Sequence, residues 1–312
     1  MLILLSFMQS INKTYSLADL KKWDFPGTTL CLLGHPIEHA LSPIMHNAAL
    51  AQMAKMDPQF SDWRYFKFDI PPQNLLEALR LCYAKRFLGI NLTLPHKNDV
   101  IRMISSIDEV AKKMEAVNSL IYETTGYRGF NTDGYGLEAA IKETLGISIK
   151  GKKVILLGAG GAAKAAAIQC LLAECSELWI GNRTLERLED LLKTLGILGK
   201  GKVFGFSLGQ IPKSLPKTGL LINATVLGMN ENDLFPVDLN YFNPSLKIYD
   251  MVYRAGSTKF VREAQERNMK ASDGLRMLVE QGARSLQVWT QKKVPIEVMW
   301  ESIINAIKTM EG

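Results

Sequence analysis

Residues 151 to 184 read GKKVILLGAGGAAKAAAIQCLLAECSELWIGNRT, and no other stretch narrows the possible folds as far. A short apolar run, a glycine cluster, an alanine-rich helical stretch and a second apolar run follow in order, which predicts a β-α-β unit. At its turn Gly158, Gly160 and Ala163 give G-x-G-x-x-A, within the loop Gly158, Ala159, Gly160, Gly161, Ala162 and Ala163. The first glycine permits a tight turn, the second lets the backbone approach a pyrophosphate, and the alanine allows close helix packing. The helix start then offers unpaired N–H groups and a positive dipole end to phosphates. A glycine-rich turn without a ligand is the plainer alternative, but the strand before it and the helix after it favour a dinucleotide.

The second apolar run ends at NRTLER, about 24 residues past Gly158. A site selective for NAD usually carries an acid there, which accepts from the ribose 2′-hydroxyl. Here the chain offers Asn182, Arg183, Thr184 and, one helical turn on, Arg187. Two guanidiniums and a hydroxyl suit a 2′-phosphate, because arginine meets phosphate oxygens as a planar fork. NADP is therefore expected over NAD. A solvated helix start capped by Thr184 would explain the threonine but not the missing acid.

Upstream, strands are expected at 28–34, 63–70 and 87–94, with helices around 43–56, 72–83 and 97–105, a second α/β region. Downstream, KVFGF, LLINAT and LKIYDMVY read as further strands of a parallel sheet, and the chain is helical in period from DGLRMLVEQ onward. No repeat or flexible linker separates the regions, so GYRGFNTDGYG at 126–136 is the candidate crossing. The class is α/β.

Composition excludes several alternatives. With 47% hydrophobic and 22% charged residues the chain is neither disordered nor fibrous. The net charge of +6 is spread among acids with no long basic run, so nucleic acid is not an expected partner. No window has the roughly 18 apolar residues of a membrane helix, so none is expected. The opening MLILLSFM lacks a basic flank and a cleavage pattern and reads as a packed or frayed terminus. The four cysteines show no CxxC spacing, which points to a reduced, cytoplasmic protein.

GHPIEHALSPIMHN, residues 34–47, holds three of the four histidines. His35, His39 and His46 straddle a turn with no cysteine or acid cluster, so no metal is expected. Ser42-Pro43 reads as a helix start, with serine as cap and proline at the first position. His46 and His96 read as local structure. In GINLTLPHK the alternate residues Asn91 and Thr93 share a face just before Lys97. AVNSL sets Asn118 in an apolar run, and GFNTDGYG sets Asp133 among glycines.

Taken with GAGGAA, NRT, NATVLGM, DMVY and DGLRMLVEQ, these motifs stand in an order and spacing that resemble the shikimate dehydrogenase family over essentially the whole chain. The resemblance implies an N-terminal α/β substrate domain, residues 1–133, completed by C-terminal helices 275–312. It implies a Rossmann-type NADP-binding domain over 134–274. The implied reaction is reversible NADPH-dependent reduction of 3-dehydroshikimate to shikimate, on the route to chorismate and the aromatic amino acids. The catalytic lysine falls on Lys97 and its partner on Asp133. Substrate contacts fall on Ser42, Thr93, Asn118, Tyr253 and Gln281. Cofactor contacts fall on the 158–163 loop, Asn182 to Arg187, Thr225, Met251 and Gly274. The partner is thus a small molecule, and the chain a monomer or homodimer.

The chain also departs from the family pattern. Where H-S-x-S-P is usual it reads H-A-L-S-P, so Ala40 removes a hydroxyl that would bind the substrate carboxylate, a loss of about 1.5–3 kcal/mol if nothing replaces it. Val226 stands where serine is frequent, YRAGSTKF lacks a common proline, and Arg276 interrupts DGLGM and is expected to face solvent, with a place near the nicotinamide end as the alternative. Ala40 keeps a quinate or other polyhydroxy cyclohexane carboxylate dehydrogenase open as an alternative. A non-catalytic NADPH sensor is a further one, which the intact Lys97, Asp133, Thr93 and Gln281 oppose.

Overall fold

Short apolar runs alternate with helices along the chain, and the computed structural model gathers the runs into two sheets, describing residues 13–196, 198–228, 233–254 and 256–311. The MLILLSFM stretch lies outside the described residues. Two compact units result: one comprises the described residues up to Thr132 together with those from Gln281 on, the other Asp133–Glu280.

The first unit contains β1 (Thr14–Ser16), α1 (Leu17–Lys21), β2 (Thr29–Gly34), α2 (Ser42–Met56), β3 (Arg64–Asp69), α3 (Leu75–Ala84), β4 (Gly89–Leu92), α4 (His96–Asp99), β5 (Ser106–Ile107), α5 (Glu109–Met114), β6 (Ser119–Glu123) and β7 (Gly126–Phe130). Its strands lie in the order β1-β3-β2-β4-β6-β7-β5. Strands β1 to β4 run parallel, and β6 is antiparallel to both its neighbours. Side chains alternate across each strand. Cys31, Leu33, Phe66, Phe68, Ile90 and Leu92 thus join Leu75, Ala78, Leu79 and Cys82 of α3 in one core. Tyr65, Lys67 and Asn91 take the alternate positions.

The helix expected over 97–105 is shorter, with α4 passing into a 3-10 turn at Val100–Arg102. The helix start at 42 is found, but the expected serine cap is not made. Leu41 occupies the cap position in helical backbone, and Ser42 is already inside the helix. From inside the first turn its hydroxyl lies near the Tyr65 phenol rather than at the cap.

The second unit contains α6 (Asp133–Leu145), β8 (Lys153–Leu157), α7 (Gly161–Leu172), β9 (Glu177–Asn182), α8 (Leu185–Leu195), β10 (Val203–Ser207), β11 (Leu220–Asn223), β12 (Lys247–Asp250), α9 (Lys259–Glu266) and β13 (Ala271–Ser272). Its strands are all parallel, in the order β10-β9-β8-β11-β12-β13. Numbered from its own first strand this is 3-2-1-4-5-6, the doubly wound dinucleotide-binding order, and the expected α/β class is found. The order reverses between β8 and β11, so the crevice for a ligand opens past the carboxyl ends of those strands.

The second division between units falls within α10 (Leu275–Thr290), which α11 (Ile296–Glu311) follows. From Gln281 on these helices belong to the first unit, where α11 packs along α2. Gly89 leaves room for Trp289: a Cβ there would lie 2.4 Å from the indole. The Trp289 N–H donates to the Leu120 carbonyl at 2.8 Å.

Candidate active site

In the first unit a buried polar network gathers several of the residues singled out from sequence. Tyr65 Oη, near the Ser42 hydroxyl, donates to Asn91 Oδ1 at 2.9 Å. The Asn91 amide donates to Ser285 Oγ at 2.9 Å and to the Asn118 carbonyl at 3.1 Å. Asn118 in turn donates to Thr132 Oγ1 at 2.9 Å and to Gln281 Oε1 at 3.4 Å, while Thr132 N–H donates to Asn118 Oδ1 at 2.7 Å. Such groups stay buried only because each finds a partner, and the pairing fixes their orientation. Asn118 and Gln281 are thereby tied to Tyr65, Asn91, Thr132 and Ser285, four residues outside the site read from sequence, and Ser42 lies beside Tyr65. Asn91 had a signal, a polar residue alternating with Thr93; Ser285 had none, since its partner Asn91 is 194 residues away in the chain.

Lys97 is half-buried on α4. Its carbonyl accepts from Val117 N–H at 2.8 Å, and Leu92 N–H donates to the Asn118 carbonyl at 2.9 Å, so Lys97 and Asn118 are held to one backbone frame. Thr93, half-buried, is anchored by its N–H on Leu33 O at 3.0 Å. The histidines are engaged locally. His96 donates from Nε2 to Ile70 O at 2.8 Å, and burial pushes its pKa down. His35 Nδ1 lies 2.5 Å from Asp69 Oδ1. His46 is stacked on Tyr65 with ring centroids 4.1 Å apart. Among the described residues no group of three or more His, Cys, Asp or Glu is arranged to hold a metal.

In the second unit Gly158 has φ +113°, in the left-handed region where a side chain is strained, and a Cβ there would come within 3.0 Å of Ala224 O. Its N–H donates to Gly181 O at 2.8 Å. Gly160 caps α7, and around Gly160 and Gly161 the space a Cβ would fill is open, which leaves bare backbone for a phosphate. Ala163 is fully buried. A cavity of about 360 Å³ is lined by Ala159, Gly160, Gly161, Lys164 and Arg187, among others, so the glycine turn and a guanidinium share one space. Arg183 and Thr184 are exposed beside it in sequence, and Asn182 donates to Thr184 O at 2.8 Å. Thr184 stands at the cap position of α8 without a side-chain cap bond. A dinucleotide phosphate fits this cradle by shape and charge.

Thr225 and Met251 are half-buried in the same unit, and Tyr253 is exposed. Thr225 Oγ1 donates to Asn223 Oδ1 at 2.7 Å, and Met251 N–H donates to Asn223 O at 2.9 Å. Gly274 is buried against Met251 O. Asp133 opens α6, half-buried.

Models of the shikimate dehydrogenase substrate-binding domain, of shikimate/quinate 5-dehydrogenase and of the shikimate 5′-dehydrogenase C-terminal domain match residues 32–120, 139–228 and 274–304. A shikimate dehydrogenase (NADP+) of Moorella thermoacetica is 36% identical over 286 residues, 91% of this chain and 95% of that one. The chain belongs to the shikimate dehydrogenase family. Among solved structures, shikimate 5-dehydrogenase of Thermus thermophilus in complex with NADP(H) and shikimate has 31% identity and a TM-score of 0.77, covering 89% of this chain and 99% of its own. The ligand-free 5-ketofructose reductase of a Gluconobacter strain has 29% identity and a TM-score of 0.80, covering 91% and 100%.

Two positions of this family member differ from what their residue types suggest. Arg276 does not face solvent: it is 7% exposed, and its Nε donates to Glu280 Oε1 at 2.8 Å. The two lie one helical turn apart, and a carboxylate at that spacing allows a guanidinium to be buried. Asp250, not singled out from sequence, is fully buried and accepts from Asn223, Thr258 and Val252 N–H. Burial pushes its carboxyl up to about 6 against those hydrogen bonds.

Proposed function

We propose that this chain catalyses the reversible NADPH-dependent reduction of 3-dehydroshikimate to shikimate, with Lys97 as acid and base and Asp133 as its partner. Family membership supports the reaction class. The observation that carries the site assignment is the buried network joining Asn91, Asn118 and Gln281, with Ser42 beside it, on the frame that also holds Lys97. Polar groups so fixed favour one ring orientation of a polyhydroxylated substrate. In this reading residues 1–133 with 275–312 bind substrate, aided by Thr93 and Tyr253, and residues 134–274 bind NADP.

The 158–163 turn and α7 receive the pyrophosphate, Asn182 to Arg187 the 2′-phosphate, and Thr225, Met251 and Gly274 line the nicotinamide end. The bound dinucleotide supplies the hydride. Reduction of a ketone also needs a proton on oxygen, and Lys97 as ammonium donates it; in the reverse direction the amine takes the hydroxyl proton. Asp133 orients the lysine. Among the described residues no helix is long and apolar enough to cross a membrane.

Steady-state kinetics with shikimate and with quinate, each with NADP and NAD, test the reading beside Lys97→Ala. Lysine-dependent turnover of shikimate with NADP is expected. Preferential turnover of quinate would establish the alternative that Ala40 motivates, and NADPH binding without turnover of either would favour a sensor.

A further inference from the structure

Lys67 lies in the middle of β3, paired with Leu32 on one side and Thr14 on the other, and is only 5% exposed. It has Tyr65 and Asp69 as its neighbours on the same face of the strand. Its ammonium donates to the backbone carbonyl of Glu38, in the turn that leads to Ala40 and Ser42. Among the described residues that is the one hydrogen bond it makes, and no carboxylate lies within ion-pair distance; the Glu38 carboxylate acts on it only from further off. An ammonium has three N–H donors. Two remain open, on a charge whose removal from water one neutral carbonyl does not repay. A buried cation in this state is suited to receive an anion.

The place matters as much as the charge. The turn that Lys67 holds is the one where Ala40 has no hydroxyl, and Ser42 follows two residues on. Tyr65, two residues before Lys67, carries the phenol that Ser42 lies near. Resting on the function proposed above, we propose that Lys67 is the substrate-carboxylate anchor of this enzyme, its ammonium replacing the donor that Ala40 lacks. Lys67 thereby selects carboxylate-bearing cyclic substrates over neutral ketoses, and a fold shared with a 5-ketofructose reductase makes that distinction informative. Burial pushes the Lys67 pKa down, and an arriving carboxylate opposes that shift.

The test compares shikimate with its methyl ester, using the whole protein with NADP, in the wild type and in Lys67→Met, Lys67→Gln and Lys67→Arg. In the wild type the acid is the better substrate. Lys67→Met raises KM for shikimate about 10- to 100-fold, the range for a lost hydrogen bond to a charged group. It leaves KM for NADP unchanged and removes the preference for acid over ester, while Lys67→Arg retains it. Ala40→Ser in the Lys67→Met background recovers part of the loss. Should Lys67→Met fail to fold by circular dichroism, Lys67→Gln is read by the same acid-to-ester ratio. A ratio unchanged from wild type, or kcat lowered for acid and ester alike, overturns the anchor and leaves the function standing. No wild-type turnover of shikimate overturns the function and the anchor together.

Discussion

His46 is fully buried in the first unit, stacked on Tyr65 at an interplanar angle of 3° and 5.7 Å from Trp289, and neither ring nitrogen has a hydrogen-bond partner. Burial pushes its pKa from 6.5 down to about 3. The folded protein therefore keeps the ring neutral across a window in which the unfolded chain binds a proton. Stability rises with pH across that window and is lost as pH falls below 6.5 toward 3. At pH 5 the unfolded state gains about 2 kcal/mol from this one residue, since each pH unit contributes about 1.4 kcal/mol. His46→Phe keeps a stacked ring and removes both nitrogens. The stability difference between variant and wild type should thus shift in favour of the variant by about 2 kcal/mol between about pH 7.5 and pH 5. Urea denaturation at the two pH values, followed by the near-ultraviolet signal of the tryptophans, measures it, and an NMR titration of the imidazole C2 protons reports the pKa directly. Parallel stability profiles, or a His46 resonance titrating near 6.5, would refute the reasoning.

Gly158→Ala places a Cβ 3.0 Å from Ala224 O in backbone of positive φ, a strain of about 1–3 kcal/mol, and NADPH fluorescence titration should show affinity reduced about tenfold or more. Arg276→Met strands the buried Glu280 carboxylate at a cost of about 3–5 kcal/mol, whereas Arg276→Met with Glu280→Leu recovers most of it in urea denaturation. An additive double variant would show that the pair is not coupled.

The glycine turn was legible because its chemistry is local: a positive φ and open space at a helix start leave few alternatives to glycine, and the strands on either side have their own apolar pattern. The first unit's network was half legible. Asn118 and Ser42 announced themselves as polar residues in apolar or turn contexts, but Tyr65 and Ser285 look like ordinary strand and helix residues until the sheet and α10 bring them together. Ser42 was misread as a cap because serine before proline has that meaning in isolation, and only the fold shows Leu41 at the cap with Ser42 already helical. Arg276 was misread because a general tendency of arginine was applied without its neighbour Glu280, one turn along. In both cases a residue type's usual role was applied where its neighbours in the fold decide the outcome.

The division of the chain also bears on its synthesis. Residues 133–280 form an unbroken segment, so that unit has all its strands once residue 280 has left the ribosome. The first unit waits for Gln281 onward. Until then the slot that Gly89 leaves for Trp289 is empty, the Leu120 carbonyl lacks its indole donor, and Asn91 lacks Ser285. At about 5–20 residues per second, the half made first stands unfinished for about 7–30 seconds while the half made second matures. Chaperone contacts during translation should accordingly concentrate on the N-terminal segment.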